Sequence, residues 1–415
     1  MQTQLAPEFQ GTPDGEEAEA ILRKCVHCGF CTATCPTYQL YGDELDGPRG
    51  RIYLIKQVLE GGQPTRSTQL HLDRCLTCRN CETTCPSGVQ YGHLVDIGRK
   101  LVDERVPRGG SSRALRWALK EGLPSPLFGP AMKLGQSVRA VLPAMLKKKV
   151  PPVRDAGRWP SREHPRKVLL LAGCVQPAMA PNINSATARV LDAAGVQTVV
   201  ARGAGCCGAV KFHLNDQEGG KAQMRANVDA WWPLVERGEV EAIVMNASGC
   251  GVTVKEYGHL LRHEPAYAER AARISACTRD LSELLPALVP ALKGRVRSRQ
   301  DLLAWHPPCT LQHGQKLRGG VEQYLGELGL RLQVAPVESH LCCGSAGTWS
   351  VLHPQAAEEL RDRKLVNLAA LAPSAIVSAN IGCITHLQGG TQLPVRHWIE
   401  VLDESLADES AARPA

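Results

Sequence analysis

Eight of the 17 cysteines in this 415-residue chain fall into two tight groups of identical spacing. Cys25, Cys28, Cys31 and Cys35 stand in KCVHCGFCTATCP, and Cys75, Cys78, Cys81 and Cys85 in RCLTCRNCETTCP, so both read C-x2-C-x2-C-x3-C-P. Three thiolates from one such loop can grip three irons of a cubane, while the fourth, displaced by one more residue, reaches the other cluster. The spacing predicts two [4Fe-4S] clusters, one held by Cys25, Cys28, Cys31 and Cys85, the other by Cys75, Cys78, Cys81 and Cys35. Zinc is disfavoured, because it takes separated cysteine pairs and not four thiolates at this density twice over. Such clusters carry single electrons, so a two-electron substrate must be handled elsewhere.

A second set of cysteines recurs as an internal repeat. The apolar run 168–172 leads to Cys174, then comes Cys206-Cys207-Gly208, and the run 242–245 leads to Cys250. The order returns with 302–305 before Cys309, then Cys342-Cys343-Gly344, then 375–377 before Cys383. The strings EAIVMNASGC and SAIVSANIGC show the kinship. Each copy thus offers four cysteines as a candidate metal or thiol site: Cys174, Cys206, Cys207 and Cys250 in one, Cys309, Cys342, Cys343 and Cys383 in the other. The glycine of Cys-Cys-Gly lets the backbone turn sharply enough for adjacent thiols to face one site. Gly203 to Gly208 nominally match a dinucleotide fingerprint, but the second copy lacks the first two glycines and keeps only Cys-Cys-Gly. His306 and His313 flank Cys309 and His386 follows Cys383; hydrogen-bonded loop histidines explain them better than iron ligands or proton relays. Cys277 reads as an incidental thiol, and Trp231 and Trp232 as core. No residue is assigned a catalytic role.

The elements that must position these groups follow from periodicity. Ile52, Ile55, Val58 and Leu59 recur at helical spacing before Gly61 and Gly62, which predicts a helix between the first two cysteine groups. Gly47 to Arg51 read equally as a helix-start turn or as a contact to a partner or cluster surroundings. In the repeat, helical patterns at 186–194 and 356–370 alternate with the apolar runs, which predicts two α/β modules with cysteines just past strand ends, where loops converge. The fold class is therefore α+β multidomain: a mainly helical ferredoxin-type domain (1–100), a connecting arm (101–165), and two tandem Cys-Cys-Gly modules (166–295 and 296–415). Residues 1–20 are expected to be a loose tail. In the arm, Pro124, Pro126, Pro130, Pro143, Pro151, Pro152, Pro160 and Pro165 are expected to break any long element. Around its later half gather Arg139, Lys147, Lys148, Lys149, Arg154, Arg158, Arg162, Arg166 and Lys167 against only Asp155 and Glu163. A solvated linker is the plain reading, docking to an acidic subunit or anionic lipid the sharper one.

Composition narrows the rest. Hydrophobic residues at 43% and charged ones at 21% are globular values, aromatics at 4% argue against a base-stacking protein, and a net charge of +7 is too mild to demand nucleic acid. The start, MQTQLAPEFQ, has no secretory pattern, which favours a reducing, cytoplasmic setting where clustered cysteines hold metal. The longest uncharged run, 365–395, is interrupted by Pro373 and several glycines and reads as buried core, so membrane contact is expected to be peripheral.

Runs such as CVHCGFCTATCPTYQL, GDELDGPRGRIYLIKQVLEG, LDRCLTCRNCETTCPSGV, ASGCGVTVKEYG and SHLCCGSAGT resemble the iron-sulfur subunits of bacterial glycolate oxidases over nearly the whole chain, most weakly in the arm. The resemblance implies the electron-transfer subunit of an acceptor-linked oxidoreductase complex. It implies a partner subunit that oxidises glycolate to glyoxylate on FAD, a second flavoprotein-like subunit, a quinone acceptor, and a peripheral place on the cytoplasmic face of the inner membrane. Related architectures occur in lactate-utilisation proteins, in anaerobic glycerol-3-phosphate dehydrogenase and in heterodisulfide reductases. An equivalent subunit of a lactate or glycerol-3-phosphate dehydrogenase, or a thiol-active enzyme of the reductase type, is the alternative. The reductase pattern ends Cys-x-x-Cys, whereas Thr253 follows Cys250 and His386 follows Cys383 here.

Overall fold

The computed structural model describes residues 1–143, 147 and 150–407. Lys148 and Lys149 of the basic arm and the last eight residues of the second module lie outside the described residues.

The N-terminal region is helical. Thr12 accepts the Gly15 N–H at 3.1 Å with Pro13 at the first helical position, starting the helix Pro13–Lys24. Ile52, Ile55, Val58 and Leu59 are buried on the helix Pro48–Leu59, as their spacing requires. This helix packs against Tyr91–Arg105, which contributes Leu94, Val95, Leu101 and Val102 to the same core. The expected loose tail is not loose: Phe9 is buried, the Ala6 N–H donates to the Leu59 carbonyl, and the terminal ammonium of Met1 donates to the Cys25 carbonyl at 2.9 Å. A polar, acidic start concealed one apolar anchor, Phe9, and so looked unattached.

The arm also departs from expectation. No proline falls between Pro107 and Pro124, which leaves residues 110–122 free to form the helix Gly110–Gly122, and a second helix runs Phe128–Ser137 with Pro130 in its first turn, where the missing N–H costs nothing.

Each repeat is a four-stranded parallel sheet. The first holds β1 (Arg166–Leu170), β2 (Val196–Val199), β3 (Ala242–Met245) and β4 (Thr278–Asp280) in the order β2-β1-β3-β4. The second holds β5 (Leu302–Trp305), β6 (Arg331–Val334), β7 (Ala375–Ser378) and β8 (Val395–His397) in the order β6-β5-β7-β8. β1 pairs Val168 with Ala242 on β3, and β5 pairs Leu303 with Ala375 on β7. The central strands β3 and β7 are buried at all four positions, as expected where helices cover both faces. The modules share one core: the helix Pro181–Ala193 packs on Trp398–Ser405, and the His397 ring reaches the Asn246 carbonyl at 2.9 Å. No helix among the described residues is long and apolar enough to cross a membrane.

Candidate metal and thiol centres

In both ferredoxin-type motifs the loop turns through left-handed residues, His27 and Gly29 in the first, Thr77 and Arg79 in the second, and then enters a short helix. This winding brings thiols from both motifs together. Cys31 is pushed up to about 11 by burial and then by Cys25, with Cys28 and Cys85 adding to the effect. The fourth cysteine of the second motif thus stands with the first three of the first. Cys81 is raised well above the ordinary thiol value by burial and by Cys78, Cys75 and Cys35, which is the reciprocal set. An open cavity is lined by Cys25, Cys28, Cys31 and Cys85, with Cys81 of the other set also on its wall beside Ile52, Val89 and Tyr91. Four converging thiols in an apolar wall are poorly served by protons and well served by an iron-sulfur cluster, so the donor set fits that group.

Buried cations surround the second set. Arg51, fully buried, donates to the His71 carbonyl at 2.7 Å and to Thr37 Oγ1 at 3.1 Å, and its guanidinium feels Cys75 and Cys35. Asp46 balances it at 3.5 Å, with His71 and Arg74 on the same carboxylate. The Gly47–Arg51 segment is therefore both a helix start, with Pro48 at the first position, and part of the surroundings of these thiols. Arg99 donates to the carbonyls of Leu72, Asp73 and Cys75 and pins the second loop. Sequence reasoning passed over Arg99, because a lone arginine in a helix carries no pattern.

The module cysteines also gather. Cys174, Cys206, Cys207 and Cys250 form one group: hydrogen bonding with Cys206 raises Cys174, while Cys206 itself is lowered by Cys174, by Cys207 and by the backbone N–H groups of Gly208 and Val210. Cys207 is raised by Cys206 and Cys250. Gly208 has φ +92°, and Gly344 has φ +86°, so both Cys-Cys-Gly turns need the left-handed backbone that glycine supplies. The second group joins Cys309, Cys342, Cys343 and Cys383. These thiols hydrogen-bond one another, and Cys309, Cys342 and Cys343 are pushed well up.

The two sites differ in their neighbours. Cys78 is raised by burial and then by Cys309, and Cys342 feels Cys78 in turn, so the second ferredoxin-type thiol set abuts the second module. Leu76, Cys309, Cys342 and Trp349 form one apolar cluster with Cys78 packed on it. Asn80 donates to the His340 carbonyl at 3.3 Å across the same boundary.

The weaker sequence candidates resolve simply. His306 faces Ser378 Oγ at 3.0 Å, His313 the His340 carbonyl at 2.8 Å, and His386 the Ala357 carbonyl at 3.0 Å. Burial holds His306 down at about 3 and His313 at about 4. Trp231 is core, Trp232 half-buried, and Cys277 ends the helix Ala268–Cys277, packed against the same apolar cluster as Cys207 and Cys250.

Paired helical C-x2-C-x2-C-x3-C-P loops joined to twin parallel-sheet modules with Cys-Cys-Gly corners define an iron-sulfur protein of the ferredoxin type with duplicated cysteine-rich domains. Residues 21–89 match the model of a 4Fe-4S dicluster domain, and residues 168–255 and 303–388 match that of a cysteine-rich domain. The glycolate oxidase iron-sulfur subunit of Escherichia coli is 54% identical over 99% of this chain and all of its own length. A probable glycolate oxidase iron-sulfur subunit of Bacillus subtilis is 29% identical, covering 94% of this chain and 92% of its own. Lactate utilization protein A of Bacillus licheniformis is 26% identical over 57% of this chain and 99% of its own length. The chain belongs to the family of glycolate oxidase iron-sulfur subunits.

Proposed function

We propose that this chain relays electrons in a glycolate-oxidising complex, taking them singly from a partner subunit that oxidises glycolate to glyoxylate on FAD and delivering them towards a quinone. A second flavoprotein-like subunit completes the complex, which sits peripherally on the cytoplasmic face of the inner membrane. The chain divides into a ferredoxin-type domain (1–100), an arm (101–165) and two modules (166–295 and 296–415). Two [4Fe-4S] clusters, on Cys25, Cys28, Cys31, Cys85 and on Cys75, Cys78, Cys81, Cys35, supply one-electron storage when bound. The observation that supports this reading is a continuous line of thiols: Cys28 is exposed at one end, and at the other Cys78 meets Cys309. Phe30 and Val26, both exposed, rim the cavity of the first group and offer a docking face for the electron donor.

The test is anaerobic co-purification with the partner subunits, followed by addition of glycolate. Bleaching of the iron-sulfur absorbance supports the reading, and bleaching by lactate or glycerol 3-phosphate alone moves the donor to those substrates. If no flavoprotein associates and no acid bleaches the absorbance, the assignment is wrong. A thiol-active enzyme is the second reading, favoured by the lowered Cys206 thiol; full activity after Cys206→Ser and Cys342→Ser would sink it.

A further inference from the structure

The helix Gly110–Gly122 is turned inside out. Its cationic flank faces the protein, where Arg116 pairs with Asp73 at 2.9 Å and Lys120 with Asp216 at 3.2 Å. Ala114, Leu115, Trp117 and Ala118 face solvent, with Trp117 63% exposed. Its one carboxylate, Glu121, is held by Lys211 at 2.8 Å. The following helix repeats the arrangement: Leu127, Ala131, Leu134 and Val138, at the spacing of one helical face, are all exposed, and neither helix buries a single residue. Val141 continues the stripe at 82% exposure. Residues 110–159 are about an eighth of the chain, yet they hold eight of the sixteen large apolar side chains exposed among the described residues.

An amphipathic helix normally buries its apolar face and wets its charges. Salt bridges here fix the opposite orientation, so the apolar face is presented and not accidental; a patch of this kind marks a binding surface. Charge complementarity decides the occupant. From Leu123 to Pro143 there is no acidic residue, while the exposed Arg113 and Lys133 and the half-buried Arg139 edge the apolar stripe. Tryptophan and leucine set among cations, on two exposed apolar helix faces, suit a planar anionic surface, where no shape match is needed and Trp117 would sit at headgroup depth.

We propose that the two helices between residues 110 and 138 lie in the interface of an anionic lipid bilayer, with Leu115, Trp117, Leu127 and Leu134 inserted and Arg113 and Lys133 against the headgroups. The inference rests only on the peripheral-membrane part of the function proposed above, and its test has no redox readout, so it stands or falls apart from electron transfer. The full-length protein is sedimented with vesicles of phosphatidylglycerol and phosphatidylcholine in equal parts, and with pure phosphatidylcholine. Strong binding to the first, at least tenfold weaker binding to the second, and loss on raising salt are expected. Trp117→Ser with Leu134→Ser should lower binding at least tenfold, Arg113→Glu with Lys133→Glu should erase the anionic preference, and Val366→Ser, an exposed apolar side chain on the second module, should change nothing. Equal binding by wild type and the Trp117, Leu134 variant, or no binding to either vesicle, overturns the proposal. So does protection of residues 110–138 from hydrogen exchange by the partner subunits alone, without lipid, which would make the face a protein interface.

Discussion

The two cysteine-rich modules are copies in order, sheet topology and turn geometry, and they part at the wall behind the thiols. In the first, neutral groups close the corner: Asn227 donates to the Cys206 carbonyl at 2.8 Å and accepts the Gly205 N–H at 2.8 Å, and Tyr257 donates to the Cys207 carbonyl at 2.9 Å. In the second, the helix after Cys-Cys-Gly contributes Lys364, 3% exposed, whose ammonium feels Cys309, Cys343 and Cys342. That ammonium donates to the Glu338 carbonyl, while the Glu338 carboxylate is taken by Arg363 and Asn367. Among the described residues no carboxylate lies within ion-pair distance of Lys364. A buried cation without a counter-ion is costly, so the second corner sets a fixed cation beside its thiols, whereas the first favours a single thiolate, Cys206, through its neighbouring thiols and the Gly208 and Val210 N–H groups. Duplication preserved the backbone, while the neighbours of the two corners differ: Cys78 of the ferredoxin-type domain stands beside Cys309 of the second.

The largest effect should be the one the modules share. A Cβ at position 344 would come within 2.5 Å of the Ala357 carbonyl oxygen, and at position 208 within 2.7 Å of that of Gly220, both on left-handed backbone. Gly344→Ala and Gly208→Ala should each cost about 3 kcal/mol, from conformational strain plus overpacking. Peptide-resolved hydrogen exchange should show each module loosening on its own. Unequal losses would break the symmetry argument at its base.

Next in size comes Asn227→Ala, which strips partners from the buried Cys206 carbonyl, the Gly205 N–H and the Tyr257 hydroxyl. A loss of about 2 kcal/mol, confined to the first module, is expected from unsatisfied buried groups, read by the same exchange measurement.

Lys364→Met sharpens the contrast from the other side. Removing a positive charge beside an anionic metal–thiolate centre favours its oxidised form, so any EPR-active centre in the second module should fall in midpoint potential by about 60 mV, one decade for a one-electron couple. Lys364→Arg should restore most of it. An unmoved potential would show that Lys364 only anchors the Glu338 carbonyl.

This contrast also marks how far the sequence could be read. The ferredoxin-type spacing, the repeat and the glycine turns are local, and a pattern within a dozen residues suffices to see each. The strands followed from the apolar runs 242–245 and 375–377. Arg51, Arg99, Asn227 and Lys364 were hidden, because what makes each matter is burial beside a thiol set distant in the chain, and a single polar residue on a helix has no period. The arm misled for a related reason: its prolines were counted over the whole stretch, though none falls within 110–122.

The smallest expected effect tests how the first module, lacking a thiol contact with the ferredoxin-type domain, is held to it. His93 and His259 stack at 4.1 Å between Glu17 and Glu256, with Arg262 on Glu17 at 2.6 Å and Arg79 on Glu256. Burial works against a charged His93, but its bonds with Glu17 and Glu256 lift it to about 9. The folded value lies above the unfolded one of about 6.5, so this stabilisation is complete below about pH 6.5 and disappears as pH rises through 9. Glu17 and Glu256 are held well below the usual carboxylate range by these histidines and arginines against the push of burial, so their share is present above about pH 4.5 and lost in acid. The network is therefore strongest between about pH 5 and 6.5. His93→Gln should cost about 1 kcal/mol at pH 6 and nothing near pH 10, seen as exchange of residues 256–262. The second module, joined through Asn80 to the His340 carbonyl and through Thr83 to His313, should show no such slope, because burial keeps His313 neutral throughout that range.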